Sequence, residues 1–159
     1  MNVKTLKILQ VLSLISLAIF TGAFLFVAIV IVPFWLSSEP NYFLEWFEVN
    51  FLRFPTLMIP LNLIAFLTTL VTLIVSWKSK ANTKNIWTIA TIAIFLASIT
   101  YPIYFASANS LLLDKAIELS LVVPKVITWS NWNWLRTALT FVALILAAIS
   151  VYQLEEEQN

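Results

Sequence analysis

The chain has 159 residues, of which 61% are hydrophobic and 11% charged, and it carries a net charge of +1 with no cysteine and no histidine. Soluble domains carry roughly 25% charged residues, so this composition, with a mean hydropathy of +0.94, belongs to an integral membrane protein. The missing side chains exclude disulfides, thiolate or imidazole metal ligands, histidine-held haem and the commonest general base, while the small, scattered charge excludes a nucleic-acid footprint.

The first apolar run covers about 8–36, "ILQVLSLISLAIFTGAFLFVAIVIVPFWL". Lys4 and Lys7 flank it as they would a signal peptide, but the run continues to Leu36, far past a signal core of about 7–15 residues. It reads as a retained helix, with Gly22 between Thr21 and Ala23 as a place of close helix packing. The next stretch, "NYFLEWFEVNFLRF", puts Phe43, Phe47, Phe51 and Phe54 at helical spacing and Glu45 and Glu48 off that stripe, the pattern of an amphipathic helix.

The second long run is about 57–77, followed by a tight basic loop with Lys78, Lys80 and Lys84. The third is about 86–106. After it, "SLLLDKAIELSL" sets Leu112, Leu113, Ala116 and Ile117 against Asp114, Lys115 and Glu118, and predicts a second amphipathic helix. The fourth run is about 135–152, ahead of the acidic tail "EEEQN". Each long run reaches the length of about 20 residues that crosses a bilayer, or comes close to it, and lipid leaves helix as the only spanning form for such segments. Pro33, Pro55, Pro60, Pro102 and Pro124 mark kinks and helix ends.

Basic residues stay on the cytoplasmic side. Lys4, Lys7 and the Lys78–Lys84 loop therefore place both termini inside, with the two larger loops outside. The expected fold is an all-α membrane protein forming a single transmembrane domain over 1–159. It is an antiparallel four-helix transmembrane bundle with two short amphipathic helices capping the extracytoplasmic side.

Polar residues converge near one end of this arrangement. Asn62 follows Pro60, Tyr101, Tyr104 and Asn109 end the third run, and Asn133 and Arg136 open the fourth within "TWSNWNWLRTALT". Tyr101, Phe105 and Asn109 share a face by four-residue steps, and Asn133 and Arg136 share one by three. Glu45 and Glu48 could approach from the first loop. A bundle interior with convergent polar groups is a ligand-site hypothesis, and the expected ligand-binding set is Arg136, Asn133, Asn109, Tyr101, Glu45, Glu48, Asn62 and Trp132. The alternative for Arg136 is an interfacial anchor that snorkels to the headgroups beside a belt of Trp129, Trp132 and Trp134. The asparagines would then bond only a neighbouring helix, and the carboxylate pairs Glu45/Glu48 and Asp114/Glu118 would be solvated faces rather than cation ligands.

The order of features resembles the DUF1772 family, four-helix membrane proteins that include anthrone oxygenases. The elements that carry the resemblance are "TGAFLFVAIVIVP", "EWFEVNFLRFPTLMIP", "PIYFASAN" and "WNWLRTALTF", which cover nearly the whole chain in order. In this family the fourth helix often opens with a His-Trp-x-x-Arg-like pattern. Here Asn133, Trp134 and Arg136 stand in comparable places without the histidine, and Asn109 matches the asparagine that ends the third helix. The resemblance implies cofactor-free oxidation in which a base generates a carbanion, and the bases that remain are Glu45, Glu48, Tyr101 and Tyr104.

Three functions compete. One is a membrane protein that binds, or acts on, a flat apolar molecule such as a quinone or polyketide, with no resident cofactor and no metal. Another is a non-enzymatic accessory or assembly subunit of a larger membrane complex, or a homo-oligomer. The third, a transporter or channel, is disfavoured by four spans with no charge in mid-membrane. The expected partners are the lipid bilayer, a hydrophobic small molecule and such a complex, and no nucleic acid.

Overall fold

The computed structural model describes residues 3–156, with side chains described over 4–153; most of the acidic tail lies outside the described residues. Its regular structure is all helix, with no strand among the described residues. Helix α1 (Val3–Phe26) runs through a π-helical turn at Val27–Ile31 into α2 (Val32–Ser37), and α3 (Pro40–Asn50) is a short separate helix. Helix α4 (Arg53–Lys78) follows, then α5 (Lys84–Thr100), which continues through a second π turn at Tyr101–Phe105 into α6 (Ala106–Leu113). Helix α7 (Leu119–Glu156) closes the chain. Four stretches are long and apolar enough to cross a membrane: Lys4–Ser37, Arg53–Lys78, Lys84–Leu113 and Leu119–Gln153.

Proline accounts for both π turns. It lacks an N–H, and its ring presses on the carbonyl four residues earlier, so the turn around it widens. Pro33 sits just after the first π turn and Pro102 inside the second.

The interior divides into two halves. Toward the α4–α5 connection it is built of small residues and hydroxyls. Ala65, Ala90, Ala93, Ala143 and Ala147 are buried with Trp87 and Leu17, and small side chains let helices approach closely. Hydrogen bonds cross between helices at this level: Ser13 to Thr72 at 2.9 Å, Trp87 Nε1 to Ser150 at 2.7 Å and Gln10 Nε2 to Thr83 at 3.2 Å. The other half, at the α3 end, is aromatic. Trp35 meets Phe43, Phe47, Phe54, Trp46 and Trp129 at centroid distances of 5.1–6.0 Å. The cavity lies in this half.

The first amphipathic stretch folds as its pattern predicts: Phe43 and Phe47 are buried, Phe51 lines the same cluster and Phe54 packs against it, while Glu45 and Glu48 are exposed. Its helix ends at Asn50, so Phe51 lies in a turn and Phe54 belongs to α4.

The second amphipathic helix is a correction. "SLLLDKAIELSL" is divided between the end of α6 and the start of α7, and Asp114–Glu118 is a turn. Lys115 adopts φ 52°, and the Lys115 and Ala116 amides donate to the Leu112 and Leu111 carbonyls. That closes α6 with a Schellman motif built on lysine instead of glycine. Lys80, at φ 54°, closes α4 in the same way, with amides 80 and 81 on the Trp77 and Ser76 carbonyls. The spacing of Leu112, Leu113 and Ile117 reports their packing on the aromatic cluster, not one continuous helix.

The fourth helix also differs from expectation. It begins at Leu119 rather than near 135, with Pro124 inside it. "TWSNWNWLRTALT" is therefore mid-helix, and Arg136 lies 17 positions after Leu119, roughly 25 Å along the axis at 1.5 Å per residue.

Candidate functional site

A cavity of about 270 Å³ lies in the aromatic half, walled by every helix of the bundle. Phe20, Phe24 and Val27 come from the first long helix, with Trp35 from α2 and Phe47 from α3. Met58, Ile59, Asn62 and Leu63 come from α4. Ala97, Ser98, Tyr101, Pro102, Phe105 and Asn109 come from α5, its π turn and α6. Trp129, Asn133 and Arg136 come from α7. Both π turns contribute to this wall, through Val27 on one side and Tyr101, Pro102 and Phe105 on the other. Such wide turns are found frequently at functional sites.

Arg136 is the one cation in the lining. Its guanidinium carbon sits 3.5 Å from the Phe105 ring centroid, 4.5 Å from Phe24 and 5.8 Å from Trp129. Its Nη2 donates to Asn133 Oδ1 at 3.0 Å, and its buried Nε has no acceptor. Asn133 in turn donates through Nδ2 to the Phe24 carbonyl at 3.4 Å, just before the first π turn. The indole Nε1 of Trp129 donates to Asn109 Oδ1 at 2.9 Å. Ser98 bonds Asn62 at 2.8 Å. The indole Nε1 of Trp35, another residue of the lining, is buried without an acceptor.

Of the eight residues singled out in the sequence, five line this cavity together: Asn62, Tyr101, Asn109, Asn133 and Arg136. The structure places the other three elsewhere. Glu45 and Glu48 are exposed on α3, and Glu48 pairs with Lys115 Nζ at 2.8 Å. The approach of Glu45 and Glu48 to the polar cluster is thus not seen, because the glutamates and the phenylalanine stripe occupy opposite faces of one helix. Trp132 stacks on Tyr104 with centroids 5.0 Å apart and planes 9° from parallel, outside the lining. Among the described residues no three acidic, histidine or cysteine side chains gather to hold a metal.

Sequence reasoning placed Phe105 on the face of Tyr101 and Asn109 but missed Phe24 and Trp129 as rings around the guanidinium. Phe24 is one phenylalanine within a long apolar run, and its register shifts at the π turn, so periodicity does not single it out. Trp129 was read as an interfacial residue because the start of the fourth helix was placed too late.

The chain matches no family model, no curated protein and no solved structure.

Proposed function

We propose that this is a multi-pass integral membrane protein that binds a flat, apolar, oxygen-bearing molecule of the quinone or polyketide kind in the cavity around Arg136. Its four long helices run antiparallel through the bilayer, with α3 on the extracytoplasmic side and both termini in the cytoplasm. One observation carries the binding reading: a guanidinium faces an aromatic cavity with, among the described residues, a single side-chain acceptor and no carboxylate partner. A charge in such a place is normally paired or serves a function. The volume of about 270 Å³ lies just below the ~300–1,000 Å³ of ligand pockets and suits a small fused-ring molecule.

The resemblance to the DUF1772 family points the same way, since anthrones are flat and carry oxygen. Oxygenase chemistry finds less support. The ionisable groups in the lining are Tyr101 and Arg136, and neither is a carboxylate base.

The test is tryptophan fluorescence of the full chain in phosphatidylcholine nanodiscs titrated with 1,4-naphthoquinone. Trp35 and Trp129 line the cavity, so bound quinone should quench them saturably. Ala97→Phe, which fills the cavity, should remove the saturable component. Quenching that is linear in quinone and identical in both proteins would reject the reading.

A further inference from the structure

The polar atoms of the cavity are unbalanced. Trp129 Nε1 and the Arg136 guanidinium can only donate, so the Asn109 and Asn133 amides must turn their oxygens toward them. Those oxygens are therefore occupied. Apart from the Ser98–Asn62 pair and the Tyr101 hydroxyl at the exposed side, what remains is donors: the Asn109 Nδ2 hydrogens, the Trp35 Nε1 hydrogen and the unused hydrogens of Arg136, with Trp35 Nε1 and Arg136 Nε buried without any acceptor. The cavity is thus short of acceptors and short of negative charge, and it is walled by rings.

The cavity also reaches the side of the bundle. Ile59 and Leu63 of α4 and Tyr101 after α5 line it while being 53%, 54% and 45% exposed. Resting on the ligand-binding reading above, we infer that the occupant is the ionised form of a lipid-soluble aromatic acid. Its carboxylate or phenolate oxygens meet Arg136 and Asn109, its rings lie among Phe24, Phe105 and Trp35, and it arrives sideways from the bilayer between α4 and α5. A planar oxyanion matches the guanidinium fork in geometry and sign, and a neutral quinone supplies only weaker acceptors. Lateral arrival lets the acid partition into lipid as the neutral molecule and give up its proton to water at the interface before or as it docks.

The experiment compares 2-naphthoate with methyl 2-naphthoate, an uncharged analogue, by tryptophan fluorescence in phosphatidylcholine nanodiscs. Naphthoate should bind at least about tenfold more tightly, which corresponds to one charge-assisted contact. Arg136→Gln should remove that preference while the ester still binds. Asn133→Asp, which keeps the arginine and gives it an internal carboxylate, should remove the preference as well, so the conclusion does not depend on one variant folding. Leu63→Trp, at the side opening, should slow association of both probes. Equal affinity for acid and ester, or a preference that survives Asn133→Asp, would overturn the inference while the cavity still binds ester and naphthoquinone. Failure of all three probes would overturn both proposals. Loss of naphthoate binding in nanodiscs containing phosphatidylglycerol, with the ester still bound and high salt screening the surface charge, would assign the oxyanion site to an anionic lipid headgroup and overturn the aromatic acid.

Discussion

Arg136 occupies the least hospitable place in the protein for a charge. Removing a guanidinium from water costs several kcal/mol even after relaxation. Against this stand one hydrogen bond of a charged group, about 1.5–3 kcal/mol, and ring contacts of about 0.5–2 kcal/mol. With Nε unpartnered and no carboxylate in contact, the balance is close to zero or unfavourable. Arg136→Met, which fills similar volume without charge, is therefore expected to leave thermal stability unchanged or to raise it by up to about 2 kcal/mol. A loss greater than about 2 kcal/mol in a melting experiment would show that the arginine is structural. The exposed pair of Lys115 and Glu48 behaves differently. The hydrogen bond that Lys115 donates to Glu48 raises the Lys115 pKa, with desolvation opposing it and the charges of Glu48 and Glu45 adding to it. A cation held this way stabilises the fold fully below the ordinary lysine pKa, and the contribution is lost as pH rises through the raised value. Glu48→Gln should thus lower the melting temperature slightly at neutral pH, and the difference from the parent should vanish in strong alkali. The sequence reveals one half of this contrast and hides the other. Steps of three and four residues bring Asn133 to Arg136 and Tyr101 to Asn109, whereas nothing in the order of residues says that Glu48 turns toward Lys115 and away from the arginine.

At the scale of elements, capping and packing decide where helices stop. The chain has one glycine, and it lies in α1 rather than at a helix end. Lysine therefore takes the left-handed position after α4, at φ 54°, a conformation that costs roughly 1 kcal/mol outside glycine. Lys80→Gly is expected to stabilise the protein by up to about 1 kcal/mol, a partial gain because glycine also frees the unfolded chain. An unchanged or lower melting temperature would mean that Lys80 makes compensating contacts. Helix α3 is held by its rings. Phe47 is fully buried against Trp35, Phe43 and Phe51, so Phe47→Ala should cost about 3–5 kcal/mol, and a loss below about 1 kcal/mol would mean that α3 is only loosely docked. Hydropathy located the four long helices because their apolar runs are uninterrupted. It misplaced the start of the fourth because Pro124, Lys125 and the polar face of "TWSNWNW" look like a loop, although proline is tolerated within a helix when neighbouring helices support it. The π turns were invisible for a related reason: they shift the register by one residue without changing composition.

For the whole molecule, the two unlike halves set what each end of the bundle is for. The half near Lys78–Lys84 is packed through alanine and hydroxyl pairs. The aromatic half under α3 carries the cavity. The side of the membrane that each half faces therefore decides where a ligand is drawn from, and the lysine distribution fixes the expectation. Lys78, Lys80 and Lys84 crowd one connection, while the residues around α3 include Glu39, Glu45 and Glu48. Positive charge in short loops is retained in the cytoplasm, so the cavity half is expected to face outward, and a ligand would then be drawn from the outer leaflet. The absence of cysteine makes this directly measurable. Asn82→Cys reports on the α4–α5 connection and Asn41→Cys on α3, each as the only thiol in the chain. In intact cells a membrane-impermeant maleimide should label position 41 and leave position 82 unlabelled until the membrane is opened. The reverse pattern would turn the bundle over and place the cavity in the cytoplasmic leaflet. Labelling of both positions in intact cells would mean that the two connections share a side, which the four-pass antiparallel arrangement does not allow.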